Sequence, residues 1–163
     1  MTRQLLMRVD DLVGHPEKRR PVSGRVPASL RLGETRVEEA ILVEGMVVGT
    51  VDGVQAELAL NATADLVCVR CLTQWVEVIE VSASQHYSKI PDEDGYAIVG
   101  GQIDIAGPVR DEMALALPAA PTCRPECLGL CPICGTDLNT DPCDGHGDDS
   151  DSPFASLKDL FED

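Results

Sequence analysis

The chain's seven cysteines fall in two places. Cys68 and Cys71 lie in "CVRCL", and Cys123, Cys127, Cys131, Cys134 and Cys143 lie in "CRPECLGLCPICGTDLNTDPCDGH", which ends on His146. Thiols so spaced could be disulfide partners, a redox pair or metal ligands. Cys68-x-x-Cys71 and Cys131-x-x-Cys134 have the gap of a metal knuckle, and the Pro and Gly of "CPICG" shape a turn that aims backbone N–H groups at sulfur. Cys123 and Cys127 form a looser pair, and Cys143 with His146 a fourth. Seven thiols and one imidazole make eight donors, and a structural zinc ion takes four. The tally suits two closed tetrahedral sites.

Cys131, Cys134, Cys143 and His146 can wrap one ion locally. Cys68, Cys71, Cys123 and Cys127 then hold the other, a clasp across the stretch from Leu72 to Thr122 that removes unfolded-chain entropy. The rival partition joins Cys123 and Cys127 with Cys131 and Cys134, leaving Cys68 and Cys71 to Cys143 and His146. Thiolate-rich tetrahedral sites select zinc or iron–sulfur; His146 and spacings unlike those of ferredoxins favour zinc. Against this stand Cys68 and Cys71 as plain buried thiols, and His146 as a linker histidine where the acidic tail begins.

A thioredoxin-type pair would place its second cysteine on a helix, whereas "TQWVEVIEV" after Cys71 reads as strand. Eight protein donors leave no coordination position for water, so both sites read as structural and the chain as no enzyme. Other candidates for chemistry are poor. His86 is isolated on an expected strand and His15 has no evident partner. Asp111 and Glu112 are neighbours on an expected helix and so point to different faces. Phosphate loops, nucleotide fingerprints and nucleophile elbows are absent.

The elements that must hold these donors are mostly strands. From Val22 to about Tyr87 the sequence is rich in Val, Ile, Leu and Ala, and Asp52-Gly53 between two apolar runs signals a two-residue hairpin turn with both positions at positive φ. "HPEKRRPVSG" (15–24) and "KIPDEDGYAIVGG" (89–101) read as loops, the second exposed and acidic. "IDIAGPVRDEMALALP" predicts a helix over about 104–117, capped by Asp104, stopped by Pro118, with Ile105, Val109, Met113 and Ala116 on one face. "GHGDDSDS" reads as an acidic linker. "SPFASLKDLFED" predicts a short C-terminal helix with Ser152 as cap and an apolar stripe of Phe154, Leu157, Leu160 and Phe161. No internal repeat is evident. The expected fold is α+β, mainly antiparallel β (a hairpin-rich sheet or partial barrel), with a mid-chain helix, a Cys-rich zinc-knuckle tail and a short C-terminal helix. Its expected parts are a β domain with the helix (1–121), a zinc-binding segment (122–147) and a linker with the last helix (148–163).

Lys and Arg number 13 against 28 Asp and Glu, a net charge of −15. Such a charge repels polyanions in the mean and argues against generic phosphate-backbone binding. The distribution is uneven: residues 1–36 carry Arg3, Arg8, Lys18, Arg19, Arg20, Arg25, Arg31 and Arg36 against only Asp10, Asp11, Glu17 and Glu34. Charges interrupt the apolar run of "MTRQLLMRVDDLVGH" too early for a signal peptide, and no stretch approaches a membrane span. A reducing cytoplasm is expected, where structural disulfides are rare. Aromatics make up 3% of residues, so the core must rest on aliphatic side chains.

Four segments together resemble the YceD family, the large ribosomal RNA subunit accumulation proteins: "CVRCL" after a β segment, "IDIAGPVRDEMALALPAAP" leading into "CRPEC", then "LGLCPICGTDLN", and "PFASLKDLF" at the end. The resemblance covers about residues 20–163. It departs from the family's tail in having Asp144-Gly145-His146 after Cys143 where a Cys-x-Cys is often seen. The resemblance implies a bacterial or bacteria-derived factor for accumulation of large-subunit (23S) rRNA, hence a pre-ribosomal partner; it brings no established enzyme activity, and neither a small-molecule substrate nor a membrane partner is expected. Charge then suggests Lys18, Arg19, Arg20 and Arg25, with Arg70 in the first knuckle, as an RNA-facing cluster. The alternative is a zinc-stapled adapter that meets a basic ribosomal protein without touching RNA.

Overall fold

The computed structural model describes residues 5–91, 95–143 and 145–146. In chain order its elements are β1 (Leu6–Arg8), β2 (Arg19–Val26), β3 (Leu30–Leu32), β4 (Thr35–Val37), β5 (Ile41–Gly49), β6 (Gly53–Val67), β7 (Gln74–Ser88), β8 (Tyr96–Ala97), β9 (Gln102–Asp104) and α1 (Ala106–Ala116). The expected class, mainly antiparallel β with one mid-chain helix, is what the structure shows, and the sheet is open rather than closed into a barrel. β2 forms one edge, followed by β5 and β6. β7 pairs with β6 along all fifteen of their residues, from Gly53↔Ser88 to Val67↔Gln74. β5 leaves the far edge of β6 at Leu42↔Asn61, and β4 rejoins it only at Arg36↔Asp65. The β6–β7 ribbon therefore runs on past the body of the sheet. Among the described residues the outer edge of β7 is paired only at Tyr87 and Ser88, by the short parallel β8.

Strict alternation on β6 decides which face is the core, because successive side chains of a strand point to opposite sides. Val54, Ala56, Leu58, Leu60, Ala62, Ala64 and Leu66 are buried, while Glu57, Ala59, Thr63 and Asp65 are exposed. α1 covers the buried face with Val109 and Met113, and the N-terminal segment adds Val9 and Leu12. Aliphatic side chains dominate, and Tyr87 is the one aromatic among the fully buried large residues. Its hydroxyl donates to the Asp104 carbonyl at 3.4 Å, and burial pushes its phenol above the usual range.

Several local expectations are corrected. Residues 15–24 are not all loop: β2 starts at Arg19, because Arg20, Val22 and Val26 can turn inward and an edge strand tolerates the missing N–H of Pro21. The β5–β6 hairpin exists, but Asp52-Gly53 is not a positive-φ turn; the register Gly49↔Val54 leaves Thr50–Gly53 as the connection, closed by Thr50 N–H to Gly53 O at 2.9 Å. Gly53 is needed for closeness instead, since a Cβ there would fall on the Tyr87 carbonyl. The 89–101 stretch contains β8, held by the Tyr96 ring packing on Tyr87 at 5.6 Å between centroids. α1 has Ile105 at its N-cap, not Asp104, whose carboxylate accepts the first helical N–H, from Ala106, at 3.0 Å. Ala116 is exposed and Leu117 takes its place in the core, with extended backbone as expected before Pro118. The expected C-terminal helix and nearly all of the acidic linker lie outside the described residues. No helix among the described residues is long and apolar enough to cross a membrane.

Candidate metal centre

The first knuckle is the tip of the β6–β7 ribbon. Residues 68–73 close the hairpin, with Cys68 N–H donating to Thr73 O at 2.9 Å and Leu72 N–H to Cys68 O at 3.0 Å. Leu72 sits at φ 59, the one non-glycine at positive φ among the described residues. That conformation costs a side-chain-bearing residue of order 1–3 kcal/mol and persists where the surroundings impose it. The second knuckle repeats the same plan on a minimal scaffold, the Leu130↔Asp137 bridge. Cys131 N–H donates to Thr136 O at 2.8 Å and Gly135 N–H to Cys131 O at 2.9 Å, with Gly135 at φ 75. Thr73 Oγ1 lies 3.2 Å from Cys71 Sγ, and Thr136 Oγ1 3.1 Å from Cys134 Sγ. "CVRCLT" and "CPICGT" are thus two copies of one six-residue device. No repeat is evident in the sequence because only two cysteines and a threonine are shared.

The structure brings the eight donors together in two sets of four, Cys68 with Cys71, Cys123 and Cys127, and Cys131 with Cys134, Cys143 and His146. Within each set the ligand atoms lie within 4.8 Å of one another. With metal–sulfur bonds of about 2.3 Å, the edge of a tetrahedron is about 3.8 Å. Two sulfur–sulfur separations in each set match it: 3.9 Å for Cys68 and Cys127, 3.6 Å for Cys71 and Cys123, and 3.7 Å from Cys143 to both Cys131 and Cys134. His146 Nε2 stands 3.0 Å from Cys143 Sγ, supplying the fourth donor of the tail set. Either set could hold a metal ion. Cys68, Cys71 and Cys127 are buried and pack on Trp75, which also reaches the main core.

The surroundings lower the thiols of the two Cys-x-x-Cys pairs and raise those of Cys123 and Cys143. Burial pushes the Cys68 thiol up, but N–H groups of Cys123, Cys71 and Arg70 outweigh it and hold the thiol down at about 6. Thr73 lowers Cys71; Thr136, then His146, lowers Cys134 to about 6; the N–H groups of Cys134 and Ile133 lower Cys131. Burial and the neighbouring Cys71 push Cys123 up to about 12. Gly145 N–H pulls Cys143 down, yet burial and the two nearby thiols leave it raised. Cys134 and then Cys131 raise His146. Four sulfurs crowded in space cannot all be anions without a positive charge among them, and a bound dication would supply it.

The basic residues of the expected RNA-facing cluster do not share one surface. Along β2, Arg19 and Arg25 are exposed on the outer face, whereas Arg20 turns to the opposite one. Arg20 reaches both Asp11 carboxylate oxygens, at 2.7 and 2.9 Å, and Lys18 Nζ donates to Asp11 O at 3.1 Å. Arg25 flanks a depression with Glu39, Leu42 and Asn61. Arg70 donates to Pro125 O at 3.3 Å and Cys127 O at 2.9 Å, tying the first knuckle to the segment that carries Cys123 and Cys127. His15 does have a partner, Glu17 Oε1 at 3.1 Å, and His86 lies 3.7 Å from Asp52. Asp111 and Glu112 accept from Tyr96 and Gln85.

Three residues around the sulfurs are not among the candidates the sequence singles out: Thr73, Thr136 and Asn139. The threonines had a signal, a Thr two places after each knuckle's second cysteine. Asn139 had none, since Arg124, Cys127 and Leu128 lie in another loop and only Asp137 is near it in sequence. Its Nδ2 is 3.6 Å from Cys127 Sγ, and its Oδ1 accepts from Leu128 N–H at 2.9 Å and Arg124 at 2.7 Å.

The sequence profile of the family described as large ribosomal RNA subunit accumulation protein YceD matches residues 56–161. An uncharacterized protein of Mycobacterium leprae is 34% identical over 144 residues, which cover 83% of this chain and 59% of that protein. Uncharacterized proteins of Mycobacterium bovis and Mycobacterium tuberculosis are each 32% identical over 103 residues, covering 58% of this chain and 49% of theirs. The chain thus spans between about half and three-fifths of the length of these relatives. No solved structure matches. The profile takes in the β6–β7 ribbon, α1 and both knuckles, and the chain belongs to the YceD family of large ribosomal RNA subunit accumulation proteins.

Proposed function

We propose that this chain is a non-enzymatic factor of large ribosomal subunit biogenesis, acting in the cytoplasm, whose two donor sets hold structural zinc. The observation that carries the metal reading is the gathering of eight donors into two sets of four with tetrahedral sulfur–sulfur edges. Zinc suits both sets, one of four thiolates and one of three thiolates and an imidazole. With four protein donors each, neither ion keeps a position for water, so no hydrolytic or redox step is assigned. The ions peg the segment after α1 to the tip of a rigid ribbon. The family supplies the role, support for the accumulation of large-subunit rRNA.

The dispersal of the basic side chains favours a second point, that the direct partner is a protein. Lys18 and Arg20 are engaged by Asp11, and Arg70 by the loop it braces. A net charge of −15 suits a basic ribosomal protein better than a phosphate backbone. Elemental analysis of the reduced full-length chain tests the metal, with two zinc per chain expected. Depletion in the cell tests the role: large-subunit rRNA falls relative to small-subunit rRNA, and an unchanged ratio sinks the proposal. Crosslinking identifies the partner, with protein crosslinks expected and RNA crosslinks at Arg19 or Arg25 overturning the protein reading.

A further inference from the structure

The two donor sets are not independent modules strung along a chain. Cys127 of the first and Cys131 of the second are separated only by Leu128, Gly129 and Leu130. That connector is gripped from both sides: Leu130 N–H donates to Arg70 O of the first knuckle at 3.0 Å, and Leu138 N–H from beyond the second donates to Gly129 O at 3.0 Å. Gly129 sits at φ 80, and a Cβ there would come within 3.1 Å of Arg70 O. A side chain there would be strained by the left-handed backbone and would press on Arg70, so glycine suits so close an approach of the first knuckle.

Asn139 completes the join. It belongs to the loop that links the second knuckle to Cys143, yet its amide Nδ2 faces Cys127 Sγ of the first set. Asp137 fixes its orientation, accepting from the Asn139 backbone N–H at 3.0 Å and from the same Nδ2 at 2.6 Å. Closing the second set around an ion fixes Cys134 and Cys143, and with them both ends of the loop that carries Asn139.

From these contacts we infer that the two metal sites load as a coupled pair, with Asn139 as the positioning residue that transmits the coupling. An ion held by Cys131, Cys134, Cys143 and His146 presents the Asn139 donor to Cys127, steadies that thiolate and tightens metal binding at the first site. Linkage makes the effect reciprocal: an ion at the first site tightens the second by the same factor. The consequence is a switch-like preference for the empty and doubly loaded forms over singly loaded ones. The inference rests on the metal reading proposed above, and the experiment separates the two.

The test uses the reduced, metal-free, full-length chain titrated with Co2+ and then with Zn2+ against a chromophoric chelator. A four-thiolate site and a three-thiolate-one-imidazole site give different cobalt spectra, so each is followed by its own signature. His146→Ala and Cys143→Ser disable the second site in a milder and a stronger way, and Cys123→Ser disables the first. Disabling either site is expected to weaken the other at least about fivefold, the lower end of ordinary coupling between sites. Asn139→Asp keeps the Oδ1 acceptor for Leu128 and Arg124 but removes the Nδ2 donor to Cys127 and to Asp137, so it is combined with Asp137→Asn, which avoids setting two carboxylates together. In that background two ions still bind, and disabling one site no longer affects the other, as a double-mutant cycle reads out. If both sites bind with affinities indifferent to each other's state, or if coupling survives the paired substitution undiminished, the inference is overturned while the metal reading stands. If neither site takes metal, both fall.

Discussion

Thr73 and Thr136 occupy the same place in the two knuckles, each setting its hydroxyl 3.2 and 3.1 Å, respectively, from the sulfur of the second cysteine. Groups that hydrogen-bond a metal ligand tune it, and their loss typically costs ten- to a hundredfold in affinity. Thr73→Val and Thr136→Val are each expected to weaken metal binding at their own site by about tenfold. Chelator competition on the single and double variants measures it. Equal affinity in wild type and both variants would show that the hydroxyls are bystanders.

Metal removal should loosen one end of the molecule only. The sheet has its own core of aliphatic side chains beneath α1, whereas the knuckle region packs little more than Cys68, Cys71, Cys127, Trp75 and Leu130. After chelation, hydrogen exchange is expected to accelerate at the amides of Val69, Leu130 and Leu138, which bond Pro121, Arg70 and Gly129 across the sites. The amides of β5 and the first half of β6 stay protected. Uniform loss of protection would show instead that the sheet depends on the ions.

Gly53→Ala tests the β6–β7 register. The added methyl meets the backbone of Tyr87, which cannot rotate away as a side chain would. Overpacking of this kind costs about 1–3 kcal/mol, to be read as a lowered urea midpoint. An unchanged midpoint would place the strands further apart than the pairing Gly53↔Ser88 requires.

A pH effect follows from Arg20 and Asp11. The guanidinium holds the Asp11 carboxyl below its ordinary value of 3.8. A lowered folded-state value means that the pair's stabilisation is full above 3.8 and disappears as pH falls through the folded value beneath it. Arg20→Ala is therefore expected to move the Asp11 titration up toward 3.8, followed by NMR of its carboxyl carbon. The variant loses stability at neutral pH and not in strong acid. An unmoved titration would mean that the contact is not formed in solution.

The long strands and the grouping of donors were legible because each rests on a local pattern: the run rich in Val, Ile, Leu and Ala from Val22 to about Tyr87, and the fixed gap within each Cys-x-x-Cys. What was illegible depended on distant partners. Pro21 reads as a loop residue until β2 is known to be an edge. Gly53 reads as a turn glycine until Tyr87 is placed against it. Arg20 and Arg70 read as surface charges until Asp11 and the Cys127 carbonyl are brought beside them. Asn139 could not be singled out at all, because its role lies in a sulfur twelve residues back, in the other donor set.

Among the described residues the border of β7 before Tyr87 pairs with no further strand, and this carries a last implication. A long row of backbone donors and acceptors without a neighbouring strand invites copies of a chain to zip together. Here Glu77 and Glu80 stand on opposite sides of that border, both exposed to water. Two such borders approaching one another would bring like charges together, a repulsion that a cationic segment adding as an extra strand would not meet.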